Sequence, residues 1–130
     1  MKEPRWVLEA VVLAVQRLLI AEHGGIPGLR DQGLLESALA RPRQRFAYQP
    51  KSTLFELAAA YGFGLARNHP FLDGNKRVAL AMTALFLELN GFSLEAPEPD
   101  AVIVIELLAA GNLTEAALAQ WLGDSSVPTT

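Results

Sequence analysis

Cysteine is absent from all 130 residues, and histidine occurs only twice, at His23 and His69. No disulfide framework or thiolate metal centre can be built, and two histidines alone argue against a zinc site. Charge is sparse: 19% of residues are charged, with 11 basic against 14 acidic side chains and a formal net charge of -3. There is no basic excess of the kind that holds bulk nucleic acid. No apolar run is long enough to cross a bilayer. The segment 7–20 is broken by Glu9, Gln16 and Arg17, and the segment 78–89 is short and closed by Asn90-Gly91. No basic leader or small-residue cleavage site is visible at the start, so the expected location is the cytoplasm. Also missing are internal repeats, a Gly-x-x-x-x-Gly-Lys-Ser/Thr phosphate loop and the protein-kinase signature set.

What remains is a chain rich in core-forming residues, 51% hydrophobic, of a length that suits one domain. We expect that domain over 1–123, followed by a flexible Ser/Thr/Pro-rich tail over 124–130. Apolar residues at period 3.6 predict a helix over 4–22, ended by His23-Gly24-Gly25. Asp31 caps a second that Pro42 should stop. Thr53-Leu54-Phe55-Glu56 reads as a capping box opening a third, in which Gly62 and Gly64 invite close approach by the helix over 78–89. Asp100 and Thr114 cap two more. Residues 43–51 lack helical periodicity and read as a loop or hairpin arm. The sum is an all-α, single-domain bundle of about six helices with one small β-hairpin.

The chemistry concentrates in His69-Pro70-Phe71-Leu72-Asp73-Gly74-Asn75-Lys76-Arg77, which precedes the apolar helix. A helix N-terminus carries orphan N–H donors and a positive dipole end, so anions bind there, and Lys76 and Arg77 add full charges. Arg77 offers bidentate contacts to phosphate and Lys76 a compact charge. His69 can exchange a proton near neutral pH. Asp73 offers the hard oxygen that Mg²⁺ prefers beside phosphate. Blander roles exist for each: a helix cap for Asp73 or Asn75, a turn for Gly74, solvated charges for Lys76 and Arg77. Phe71 reads as an anchor for the loop.

This string resembles the signature of the Fic/Doc superfamily, His-x-Phe-x-Asp/Glu-Gly-Asn-Gly-Arg in Fic enzymes and His-x-Phe-x-Asp-x-Asn-Lys-Arg in Doc toxins. Lys76 selects the Doc branch. Weaker matches at His23 to Gly28, Arg45 to Tyr48, Leu54 to Glu56 and Asn90-Gly91 extend the resemblance over most of the chain. It implies a Fic-like bundle and a nucleotide-dependent transferase using ATP and Mg²⁺. His69 is then the base, Asp73 the metal-linked acid, and Gly74, Asn75, Lys76 and Arg77 hold phosphate, with Arg67 a weaker nucleotide candidate. Residues 43–51 become a hairpin flap in which Tyr48 and Gln49 contact the target. A lysine at 76, where Fic enzymes have glycine, and Leu80 in place of a second Fic arginine favour γ-phosphate transfer over AMP transfer.

On this resemblance the expected function is a toxin kinase acting on a Ser/Thr hydroxyl of a translation factor, elongation factor Tu foremost. Ser52 to Glu56 has part of the Fic inhibitory spacing but ends in Leu57, so a separate Phd-like antitoxin is the implied restraint, its C-terminal segment over the active site. Two alternatives stand beside this: an AMP transferase on the same fold, and a non-enzymatic helical binding module using Arg41, Arg43 and Arg45.

Overall fold

The computed structural model of the chain describes residues 2–129. The first residue of the expected domain and Thr130 of the expected tail lie outside the described residues. Six helices appear in order: α1 (Glu9–His23), α2 (Gln32–Tyr48), α3 (Leu54–Asn68), α4 (Asn75–Leu89), α5 (Glu98–Ala109) and α6 (Glu115–Ser125). A two-stranded antiparallel sheet joins β1 (Phe92–Leu94) to β2 (Ser126–Pro128). The all-α class is as expected, and a single small strand pair accompanies it.

Local sequence explains where the helices begin. Thr53 Oγ1 accepts the Glu56 N–H at 3.1 Å while Glu56 returns to the Thr53 N–H at 2.8 Å, closing the capping box of α3. Asp31 accepts from the Leu34 N–H and Thr114 from the Ala117 N–H in the same manner, whereas Asp100 does not cap α5: Pro97 holds the N-cap position without a side-chain bond, and Asp100 lies within the first turn. Helix α3 is the axis of the fold. Its residues 57–62 and 64–66 are all buried, and it packs against α2, α4, α5 and α6. Gly62 faces α4 as expected, where an added Cβ would lie 2.7 Å from Thr83 Oγ1. Gly64 faces α2 instead, with the Ala38 backbone 3.1 Å from such a Cβ.

Three further expectations are corrected. First, α1 starts at Glu9, because residues 5–7 are tied to the core by tertiary contacts instead. The Arg5 and Val7 N–H groups donate to Asn90 Oδ1 and Tyr61 Oη, and Trp6 stacks on Phe86 at 5.9 Å. Second, Pro42 does not stop α2, and residues 43–48 are helical rather than a flap. A mid-helix proline costs about 3 kcal/mol, but the segment beyond it is anchored from outside. Arg45 binds Glu56 at 2.7 Å and Ser52 Oγ at 3.2 Å, and Phe46 meets Trp6 edge-on. Third, the strand pair forms elsewhere, from the supposed tail. Phe92 pairs with Pro128, Ser93 with Val127 and Leu94 with Ser126, extended by bonds from Glu95 N–H to the Ser125 carbonyl and Thr129 N–H to the Gly91 carbonyl.

Candidate active site

The motif forms the passage from α3 to α4, and each turn of it has a local cause. His69 terminates α3 in the left-handed region at φ 49°, the only non-glycine residue with positive φ among the described residues. Pro70 and Phe71 then turn inward and are buried. Phe71 is the anchor, and Asn75 fastens it: Oδ1 accepts the Phe71 N–H at 2.9 Å and Nδ2 donates to the Phe71 carbonyl at 3.0 Å. Asn75 therefore does not cap the helix. Nor does Asp73, because Gly74, at φ 76°, occupies the N-cap position and α4 has no side-chain cap.

An uncapped helix end follows. The first bond of α4 runs from the Val78 N–H to the Gly74 carbonyl. The N–H groups of Asn75, Lys76 and Arg77 are then without i−4 partners and face outward with the positive end of the helix dipole. Lys76 and Arg77 are exposed and make no ion pair among the described residues. Asp73 Oδ1 accepts the Gly74 N–H at 3.0 Å and Oδ2 the Ile26 N–H at 3.3 Å. Each oxygen keeps lone pairs for a further partner.

These groups open onto one cleft of about 440 Å³ between the loop, the start of α4 and the side of α5. His69, Asp73, Gly74, Asn75, Lys76 and Arg77 all line it, with Leu72, Leu80, Val102, Ile105 and Glu106 completing the walls. A lining that combines cations and a helix N-terminus with apolar side chains suits a ligand carrying phosphates.

Three of the expected site residues are not brought there. The Arg67 guanidinium lies over the Phe63 ring at 5.6 Å and against Gly111. Tyr48 and Gln49, expected at the flap, end α2 beside Arg41, Gln44, Arg45 and Glu115, lining a different hollow. The cause is the continuation of α2, which carries both residues away from the motif.

The segment 25–31 forms a frame behind the motif. Its Arg30 and Asp31 N–H groups both donate to the Pro70 carbonyl, and Gly28 accepts the Leu72 N–H at 3.1 Å. The Arg30 guanidinium closes the end of α3, donating to the His69 carbonyl at 2.8 Å and the Asn68 carbonyl at 3.0 Å. Nothing in the local pattern marks Arg30 for this work. The α5 residues in the cleft carried only the signal of an apolar helix.

Comparison with known proteins now bears on this geometry. The family model described as "Fic/DOC family" matches residues 6–87, more than half of the chain and the whole of the motif. The chain belongs to the Fic/Doc family. Its relatives place it on the Doc branch, as Lys76 implies. It is 40% identical over 88 residues to "Protein kinase doc" of Escherichia phage P1, spanning 67% of this chain and 70% of the phage protein. It is 45% identical over 74 residues to "Toxin Doc" of Mycolicibacterium smegmatis, spanning 56% of this chain and 57% of that protein. No helix among the described residues is long and apolar enough to cross a membrane.

Proposed function

We propose that this protein is a Doc-type toxin, a kinase that moves the γ-phosphate of ATP to a Ser/Thr hydroxyl of a translation factor, with elongation factor Tu the expected target. One observation carries the reading. The imidazole of His69, the carboxylate of Asp73 and the cations Lys76 and Arg77 meet at an uncapped helix N-terminus in one cleft. In this reading His69 takes the hydroxyl proton as the hydroxyl oxygen bonds to the γ-phosphorus. The bond to the β–γ bridging oxygen breaks and ADP leaves. Lys76, Arg77 and the α4 N–H groups hold the phosphoryl oxygens as charge moves between them.

The donor set also suits Mg²⁺. No cluster of three His, Asp or Glu side chains is present among the described residues. An ion here would take Asp73, with Glu106 on the facing wall, and fill its shell from phosphate and water, the habit of Mg²⁺ rather than of a caged metal. Bound there it would neutralise phosphate charge.

Lys76 and Leu80 support phosphate transfer over AMP transfer, because a lysine and an aliphatic side chain stand at the cleft where AMP transferases of this superfamily have glycine and a second arginine. The toxin reading also carries a partner: an antitoxin whose C-terminal segment covers the cleft, with the exposed Leu72 and Val102 at its rim available for apolar contact.

The test is intact-mass analysis of elongation factor Tu and other translation factors after exposure to the protein and Mg·ATP, with ATP labelled at the α- or γ-phosphate. Transfer of γ-label with a gain of one phosphate is expected. Label arriving only from the α position would establish AMP transfer instead. Growth inhibition unaffected by His69→Ala and Lys76→Ala would establish a binding module.

A further inference from the structure

Gln16 sits in the middle of α1 and is 1% exposed. A buried amide in an otherwise aliphatic helix face is costly unless its hydrogen bonds are made. All of its bonds go to backbone on two loops. Nε2 donates to the Asp73 carbonyl at 3.1 Å and to the Ile26 carbonyl at 3.4 Å, and Oε1 accepts the Gly28 N–H at 3.2 Å. The turn that it holds is the one that touches the Asp73 carboxylate. Ile26 N–H donates to Oδ2, and Gly25 lies so close that an added Cβ would stand 2.7 Å from that oxygen. A methionine or leucine would fill the same volume without these bonds, so packing alone does not account for the amide.

We infer that Gln16 is a positioning residue for the reaction, clamping the turn 26–28 to the Asp73 backbone so that the Asp73 carboxylate is held at the wall of the cleft. It does not itself line that cleft. The inference rests on the reading above, in which Asp73 takes part in phosphate transfer. Holding an acidic group by a buried amide one step removed gives the carboxylate a fixed direction before any nucleotide arrives, which is the purpose of such outer contacts.

The test uses the full chain with Gln16→Met, which keeps size, and Gln16→Glu, which keeps shape and acceptor but sets an oxygen against the Asp73 carbonyl. Both should lower kcat about 10- to 100-fold, with KM for the protein substrate within about twofold of wild type. In an Asp73→Asn background either substitution should cost no more than about a further twofold, since the carboxylate to be placed is gone. Amide hydrogen exchange without nucleotide gives an independent readout. The Ile26 and Leu72 N–H groups should exchange about tenfold faster in Gln16→Met, while those of α3 keep their wild-type rates.

Equal losses in both backgrounds, or faster exchange throughout the domain, would reduce Gln16 to a packing residue. Wild-type transfer by Gln16→Met beside a slowed but measurable Asp73→Asn would overturn this inference alone. Wild-type transfer by Asp73→Asn would overturn the site reading with it.

Discussion

Asn75 grips Phe71 from both sides, accepting its N–H at 2.9 Å and donating to its carbonyl at 3.0 Å. One amide thus imitates a rung of a β-ladder and fixes the loop that carries His69 and Asp73. Asn75→Ala should destabilise the protein by about 1–3 kcal/mol, because the buried Phe71 N–H loses its partner. Phosphate transfer should fall about 100-fold as the loop drifts. Asn75→Asp, which keeps the acceptor and loses the donor, should lie between. Urea denaturation and single-turnover transfer measure the two effects separately.

His69 has a backbone that favours glycine and a side chain that the proposed transfer requires. It closes α3 at φ 49° and ψ 56°, where a non-glycine residue costs on the order of 1 kcal/mol. His69→Gly should therefore match or exceed wild-type stability while losing about 10²- to 10⁴-fold in transfer rate. His69→Ala should lose the same activity without the gain in stability. Thermal melts beside transfer assays check the pair, and a destabilised glycine variant would refute the strain argument.

Gly62 is a compromise between α3 and its neighbours. Alanine would favour the helix by about 1 kcal/mol, but its Cβ would stand 2.7 Å from Thr83 Oγ1 and 3.2 Å from Leu118 Cδ2. The Thr83 hydroxyl is itself committed to the Ala79 carbonyl at 2.7 Å. Gly62→Ala should lower stability by about 1–3 kcal/mol, and adding Thr83→Ala should recover part of the loss. A double-mutant cycle in urea reads the coupling.

Tyr61 gives the fold an alkaline limit. Burial raises the phenol above its ordinary pKa, opposed by the Val7 N–H donating to its oxygen and by the charge of Arg43. A folded-state pKa above the unfolded one favours the neutral phenol. Its contribution is complete below the unfolded value, near pH 10, and is lost as pH climbs through the raised folded value. Tyr61→Phe should cost about 1 kcal/mol at pH 7 and show a shallower decline in alkali than wild type. Denaturation midpoints at pH 7 and above pH 10 decide it.

The chain's own order was enough for whatever is local. The capping box of Thr53 and Glu56, the caps Asp31 and Thr114, the anchor Phe71 and the run His69 to Arg77 are close in sequence. Their geometry follows from backbone rules acting over three or four residues. So did the all-α class, since helical periodicity is also a short-range signal.

Only the packed structure decided what depends on distant partners. Pro42 reads as a stop until Arg45 finds Glu56 and Phe46 finds Trp6, whose contacts hold the helix together beyond it. Tyr48 and Gln49, expected at a flap, are carried away from the motif by that helix, and the Arg67 guanidinium is laid over Phe63. The residues 126–128 read as loose until Phe92–Leu94 supplies a strand to pair with. Gln16 and Arg30 look like ordinary helix and loop residues, and their roles exist because folding brings backbone carbonyls 39 and 57 positions away within reach. Hydrogen-bond partners at such separations leave no periodic trace in a sequence, so the motif shows the candidate reacting groups while only tertiary contact shows what holds them in place.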